Sequence, residues 1–89
     1  MTESSILDDI LKELKRAKKK HPSWPDHIVA RAAIVQEECG ELIREAVNHK
    51  YELKPGPEEK KASMERMRKE AIQTAATSIR FIESLKDVK

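Results

Sequence analysis

Four glutamates, Glu37, Glu38, Glu41 and Glu45, stand within nine residues in the stretch Val35-Gln36-Glu37-Glu38-Cys39-Gly40-Glu41-Leu42-Ile43-Arg44-Glu45, and Arg44 is the one cation inside the block. Two like charges about 4 Å apart repel by ~1 kcal/mol in bulk water and ~4 kcal/mol at the effective dielectric of a protein surface. A fold built around this block must either splay the carboxylates into solvent or bring a cation to them. Farther along the chain, Glu70-x-x-Gln73 repeats the spacing of Glu38-x-x-Glu41. Residues three apart on a helix are neighbours, so each pair can converge on one point. Facing each other across antiparallel helices, the pairs would offer three carboxylates and an amide oxygen. Such an all-oxygen site suits Mg²⁺ or Mn²⁺, with other positions left for water and substrate phosphates. No Cys or His stands at a zinc-like spacing, and neither Glu38 nor Glu70 has the His three residues on that a di-iron Glu-x-x-His site needs.

The elements that must position these groups follow from periodicity. Ile6, Leu7, Ile10, Leu11, Leu14 and Ala17 recur at helical spacing and predict a first helix, capped by Ser4 or Ser5. It ends in Lys15-Arg16-Ala17-Lys18-Lys19-Lys20 before His21-Pro22, a basic run matched to the negative end of the helix dipole. A phosphate-contacting role for that run is the alternative. Pro22 and Pro25 hold a connector extended, and Trp24 within it either plugs the end of a helix pair or stacks on a planar ligand such as a nucleobase. Asp26 is the expected cap of a second helix over residues 27–49. Its apolar side is Ile28, Ala32, Val35, Cys39, Leu42, Ile43, Ala46 and Val47, and the four glutamates fill an adjoining arc of about 100°. Gly40 in mid-helix costs up to ~1 kcal/mol relative to Ala, so close approach of another helix is expected there. Pro55-Gly56-Pro57 makes a turn, and residues 58–85 form a third helix with Met64, Met67, Ala71, Ala75, Ile79, Ile82 and Leu85 inward and Glu70, Gln73, Thr74 and Thr77 on a polar arc beside them.

The reading is one all-α domain, residues 1–89, a bundle of three main helices. With 89 residues, 38% apolar, and one each of Trp, Tyr and Phe, a lone monomer would have a thin core, so the core is expected to be completed by self-association as a dimer or tetramer. Eighteen basic against sixteen acidic residues leave a small net charge. That balance and the acidic block stand against a nucleic-acid partner. The single Cys39 excludes an intrachain disulfide and fits a reducing compartment. No apolar run approaches ~20 residues and no signal-peptide layout opens the chain. A cytoplasmic protein without a membrane partner is the expectation.

Glu37-Glu38-x-x-Glu41 followed by Glu70-x-x-Gln73 resembles the EExxE…ExxD signature of the MazG-like all-α nucleotide pyrophosphohydrolases, and Glu38-Cys39-Gly40-Glu41-Leu42 matches that family's E-x-G-E-L core. The resemblance covers roughly residues 24–83. It implies an oligomeric helical bundle that hydrolyses a nucleoside triphosphate between the α- and β-phosphates with Mg²⁺. Glu38, Glu41 and Glu70 would then be metal ligands, with Glu38 and Glu37 in catalytic positions, Glu37 holding a second metal or orienting the attacking water. Arg31, Lys54 and the Lys18 to Lys20 run become candidates for phosphate contacts, and Trp24 lies where relatives shape the base pocket. Gln73 replaces the family's final Asp; its amide oxygen can ligate Mg²⁺ but brings no charge, so affinity should fall unless Glu37 or Glu45 compensates. Two alternatives stay open: a MazG-like module that binds metal or nucleotide without catalysis, and a helical interaction protein.

Overall fold

The chain forms three helices, α1 (Glu3–Lys20), α2 (Ile28–Val47) and α3 (Pro57–Ser84), with no strand among the described residues. This computed structural model describes residues 2–88. No described helix is long and apolar enough to cross a membrane. Local chemistry sets each boundary. The first cap is Thr2 rather than Ser4 or Ser5: its hydroxyl accepts from the Ser5 N–H at 3.1 Å, and the Thr2 N–H donates to the Ser5 hydroxyl at 3.2 Å. Hydroxyls three residues apart satisfy two free donors reciprocally, which neither serine alone could do. At α2 the last extended residue is His27, so His27 and not Asp26 caps the helix, its Nδ1 accepting from the Val29 N–H at 3.2 Å. Regular α2 stops at Val47, short of the expected residue 49, and one wider π-helical turn, Asn48–Glu52, follows it. Gly56 turns the chain at φ 137°, and Pro57 opens α3, where a missing N–H is harmless.

Packing is centred on α3. Both α1 and α2 lie against it, and no Cα of α1 comes within 8 Å of a Cα of α2. The result is a single layer of three helices with α3 in the middle, rather than a closed bundle. Polar contacts fix the α2/α3 register at both ends: Arg31 donates to the Ser84 carbonyl at 2.8 Å, and His49 Nδ1 meets the Ser63 hydroxyl at 2.9 Å. Arg66 pairs with Glu45 at 3.0 Å in the same antiparallel sense. On the other flank, Arg68 pairs with Asp9 at 2.7 Å and Lys18 with Glu83 at 2.8 Å, so α1 runs parallel to α3.

Two arginines hold the connector between α1 and α2 across the end of α3. Arg31 also donates to the Pro25 carbonyl, and Arg80 donates to the His21 and Ser23 carbonyls. The Arg80 guanidinium also lies 4.7 Å from the centre of the Trp24 ring, within cation–π range. One face of the Trp24 ring is thus covered by Arg80.

The core is thin. Leu14 and Ala76 are the only apolar side chains buried among the described residues. The chain exposes 6934 Å², where a compact monomer of 10.2 kDa exposes about 5300 Å². Its radius of gyration of 15.1 Å likewise exceeds the ~12 Å of a compact domain this long.

Arg31 is only 6% exposed and has no acidic partner in its hydrogen bonds, so its role is to satisfy carbonyls that close the layer. Replacing it with Met should remove both bonds while keeping most of the volume. The expected loss is about 3 kcal/mol, since hydrogen bonds to a charged group contribute ~1.5–3 kcal/mol each. Urea unfolding followed by far-UV circular dichroism checks this, and a midpoint unchanged from wild type would contradict it.

Candidate metal and ligand site

The α2/α3 register sets residues 38–41 opposite residue 70. One carboxylate oxygen from each of Glu38, Glu41 and Glu70 lies within 4.8 Å of the other two. Glu38 and Glu70 are partly buried and Glu41 is exposed, so the group opens to solvent on one side. One oxygen of Glu38 and one of Glu70, both Oε2, are buried without any hydrogen-bond donor. Buried carboxylate oxygens without donors are costly unless a cation or proton satisfies them. Burial first, and then the neighbouring carboxylates, raises the Glu38 carboxyl above its ordinary value of 4.5. Burial first, followed by a hydrogen bond with Glu41 and the charges of Glu41 and Glu38, raises Glu70 likewise. The donor set of three carboxylates from two helices fits a hard divalent cation such as Mg²⁺ or Mn²⁺.

Beside this group is a cleft of about 350 Å³. It exists because α1 and α2 stand apart: α3 forms its floor through Gln73, Thr77 and Arg80, and Glu38 of α2 faces Glu13 and Arg16 of α1. Trp24 and His21 close one end. Glu38 therefore belongs to both the carboxylate group and the cleft. A volume in this range, with a few polar groups converging on it, is ordinary for a small-molecule pocket.

Of the residues singled out from sequence, Glu38, Glu41 and Glu70 form the carboxylate group, and Glu38, Gln73 and Trp24 line the cleft. Glu37 does not join the three carboxylates; it is exposed on the outer side of α2. Arg31 is spent on the Pro25 and Ser84 carbonyls rather than facing the cleft. Lys54 lies past the far end of α2, in a shallow groove with Glu52, Glu59 and Arg66. Glu45 is paired with Arg66, so it is not offered to a cation. The hydroxyls of Thr74 and Thr77 donate back to the carbonyls of Glu70 and Gln73, both at 2.8 Å, which settles the polar arc of α3 within its own backbone.

The cations that do line the cleft are Arg16 and Arg80. Arg80 continues the line of Gln73 and Thr77 at positions i+7 and i+3, a spacing that could have marked it. Arg16 grips Glu13 with two hydrogen bonds, 2.9 Å from Nε and 2.5 Å from Nη2, and holds that carboxyl below its ordinary value. Its position in an exposed basic run disguised it. Compared with known proteins, the chain matches no family model, no curated protein and no solved structure.

The raised carboxyls have a consequence for stability. Between 4.5 and its raised value, each acid holds a proton in the folded state that the unfolded chain has released, so its contribution falls as pH rises through that window. A divalent cation takes the place of those protons and binds more tightly as pH rises. Mg²⁺ should therefore raise the melting temperature at pH 8 by more than at pH 5.5, a stabilisation approaching ~2.7 kcal/mol at a hundred times Kd. Glu38→Gln should stabilise the metal-free protein at pH 8 and remove the response to Mg²⁺. Thermal melts of both proteins with and without Mg²⁺ test this; an equal Mg²⁺ effect at both pH values would count against it.

Proposed function

We propose that the chain is a Mg²⁺-dependent nucleotide pyrophosphohydrolase that converts a nucleoside triphosphate to the monophosphate and pyrophosphate. The observation that carries this reading is the meeting of Glu38, Glu41 and Glu70 beside a cleft that Glu38 also lines. The sequence motif supports it independently, since the same three glutamates occupy ligand positions in the MazG-like signature. Mg²⁺, or Mn²⁺ in its place, would be held by Glu38, Glu41 and Glu70, with the Gln73 side chain close by. Bound there, the metal neutralises phosphate charge and lowers the pKa of coordinated water.

The chain's own groups supply the rest. Glu38 and Glu70 each carry a buried carboxylate oxygen without a donor, which a cation held by Glu38, Glu41 and Glu70 would satisfy, and the exposed Glu41 leaves that group open to solvent. Arg16 and Arg80 place positive charge along the cleft, where it balances a polyphosphate. Trp24 and Ile34 give the cleft its apolar surface, suited to a base, although Arg80 already covers one face of the indole. Glu37 is not among the three carboxylates that converge, which leaves Glu38, shared by that group and the cleft, as the candidate for contact with the attacking water.

Gln73 favours a second reading, a module that binds metal and nucleotide without turning it over. A neutral amide in place of the signature's final Asp leaves three carboxylates where the signature's ligand set has four.

Pyrophosphate release measured across ribo- and deoxyribonucleoside triphosphates with Mg²⁺ or Mn²⁺ separates the two. Turnover is expected, and Glu38→Ala or Glu41→Ala should lower kcat/KM on the order of 100-fold or more. Gln73→Asp should lower the Mg²⁺ concentration needed for half-maximal rate. No turnover by the wild-type chain, with activity gained in Gln73→Asp, would establish the binding module instead.

A further inference from the structure

Two carboxylates, Glu38 and Glu13, line the cleft, and only Glu38 belongs to the converging three. Glu13 lies on the packing side of α1 with Ile10, Leu14 and Ala17, and its side chain is 17% exposed. Asp9, one turn earlier on the same side, is answered from α3 by Arg68. Glu13 is answered by Arg16 of its own helix. The parallel α1/α3 register, carried on from Asp9–Arg68 to Lys18–Glu83, puts Glu13 level with residues 73–77 of α3, a turn that contains no cation. A carboxylate on the inward side of a helix is costly unless positive charge meets it.

The Glu13–Arg16 pair is lopsided. Its carboxylate is the inner member, and its guanidinium, on a side chain 53% exposed, is the outer one that solvent screens. At the Glu38 carboxyl the charge of Glu13 accordingly outweighs that of Arg16. A cation held by Glu38, Glu41 and Glu70 therefore meets a net negative field from α1. That field falls where the ligand set is short of charge, because Glu13, Glu38 and the neutral Gln73 line the same cleft. The buried oxygens of Glu38 and Glu70 that lack donors point independently to a cation at this place.

We propose that Glu13 supplies, from α1, the fourth negative charge that Gln73 leaves out of the cation site. It acts from outside the ligand set, since it is not among the carboxylates whose oxygens lie within 4.8 Å of one another. Mg²⁺ keeps several of its waters, so a carboxylate beyond the direct ligands still contributes through them. An Asp at residue 73 would add an unbalanced charge to the metal-free chain, whereas Glu13 comes with Arg16 as its counter-ion. The proposal rests on the reading of Glu38, Glu41 and Glu70 as a cation site and is independent of turnover.

Titration of the full chain with Mn²⁺ at pH 8, with free ion read by electron paramagnetic resonance, tests the assignment. Glu13→Gln should weaken binding about tenfold, as loss of an outer-shell partner does. Arg16→Gln should tighten it about threefold, the effect of removing a half-exposed cation. Opposite signs mark a role of charge, because loss of a merely structural ion pair would move both variants the same way. Gln73→Asp should tighten binding by a larger factor in the Glu13→Gln background than in the wild-type chain, since only there is the fourth charge missing. If circular dichroism shows that Glu13→Gln has lost helix, the sign of the Arg16→Gln effect decides. Binding that Glu38→Gln abolishes but Glu13→Gln leaves unchanged overturns this proposal alone, as does weaker binding by Arg16→Gln. A wild-type chain that binds no Mn²⁺ overturns the cation site and this proposal with it.

Discussion

The antiparallel seam between α2 and α3 is fixed at its two ends by polar contacts drawn in from water: Arg31 on the Ser84 carbonyl, and His49 on the hydroxyl of Ser63, which is 0% exposed. Apolar packing alone would hold this seam weakly, because so few of its side chains are buried. Hydrogen bonds between particular atoms select a register, and slipping by one turn would leave a buried guanidinium and a buried hydroxyl unsatisfied. That register is what forces Glu38, Glu41 and Glu70 together against their mutual repulsion. The strain then appears where it should, as two carboxyls raised above their ordinary value and two oxygens without donors. The fold does not place these acids together by default; it spends specific polar contacts to keep them there.

The same dependence on α3 explains the cleft. Because α1 and α2 each lean on the central helix and avoid each other, the space between them is bounded on three sides, and side chains from all three helices reach it. Arg80 links the two parts of this arrangement. One guanidinium ties down the connector, stacks on Trp24 and lines the cleft, so connector geometry and cleft charge cannot vary independently.

Much of this was legible in the residues. Three helices, their order and the turn at Pro55-Gly56-Pro57 followed from periodicity and spacing, because these depend on local geometry that a helix imposes directly, and the meeting of Glu38, Glu41 and Glu70 followed once α2 and α3 were taken as antiparallel. What the sequence did not reveal depends on contacts between distant segments. Arg31 reads as a spare cation near an acidic helix, but its partners are carbonyls at residues 25 and 84, and carbonyls leave no trace in side-chain patterns. Glu45 falls in the acidic arc by its angle, yet Arg66 claims it from another helix. Gly40 reads as a point of close approach, yet nothing in the chain lies within 4 Å of a Cβ built on it.

Gln73 gains a different meaning once the electrostatics are in view. A carboxylate at that position would join a group already short of counter-charge, and in the metal-free chain it would raise its neighbours further and add to the repulsion that the α2/α3 seam must withstand. With only Leu14 and Ala76 as buried apolar side chains among the described residues, there is little stability to set against that. The amide keeps an oxygen of the right hardness beside Glu38 while leaving out one negative charge, which weakens the pull on a cation and eases folding without one. A glutamine rather than a carboxylate at residue 73 therefore spares the metal-free chain further repulsion, and the thinness of a single helical layer is the physical reason that this matters.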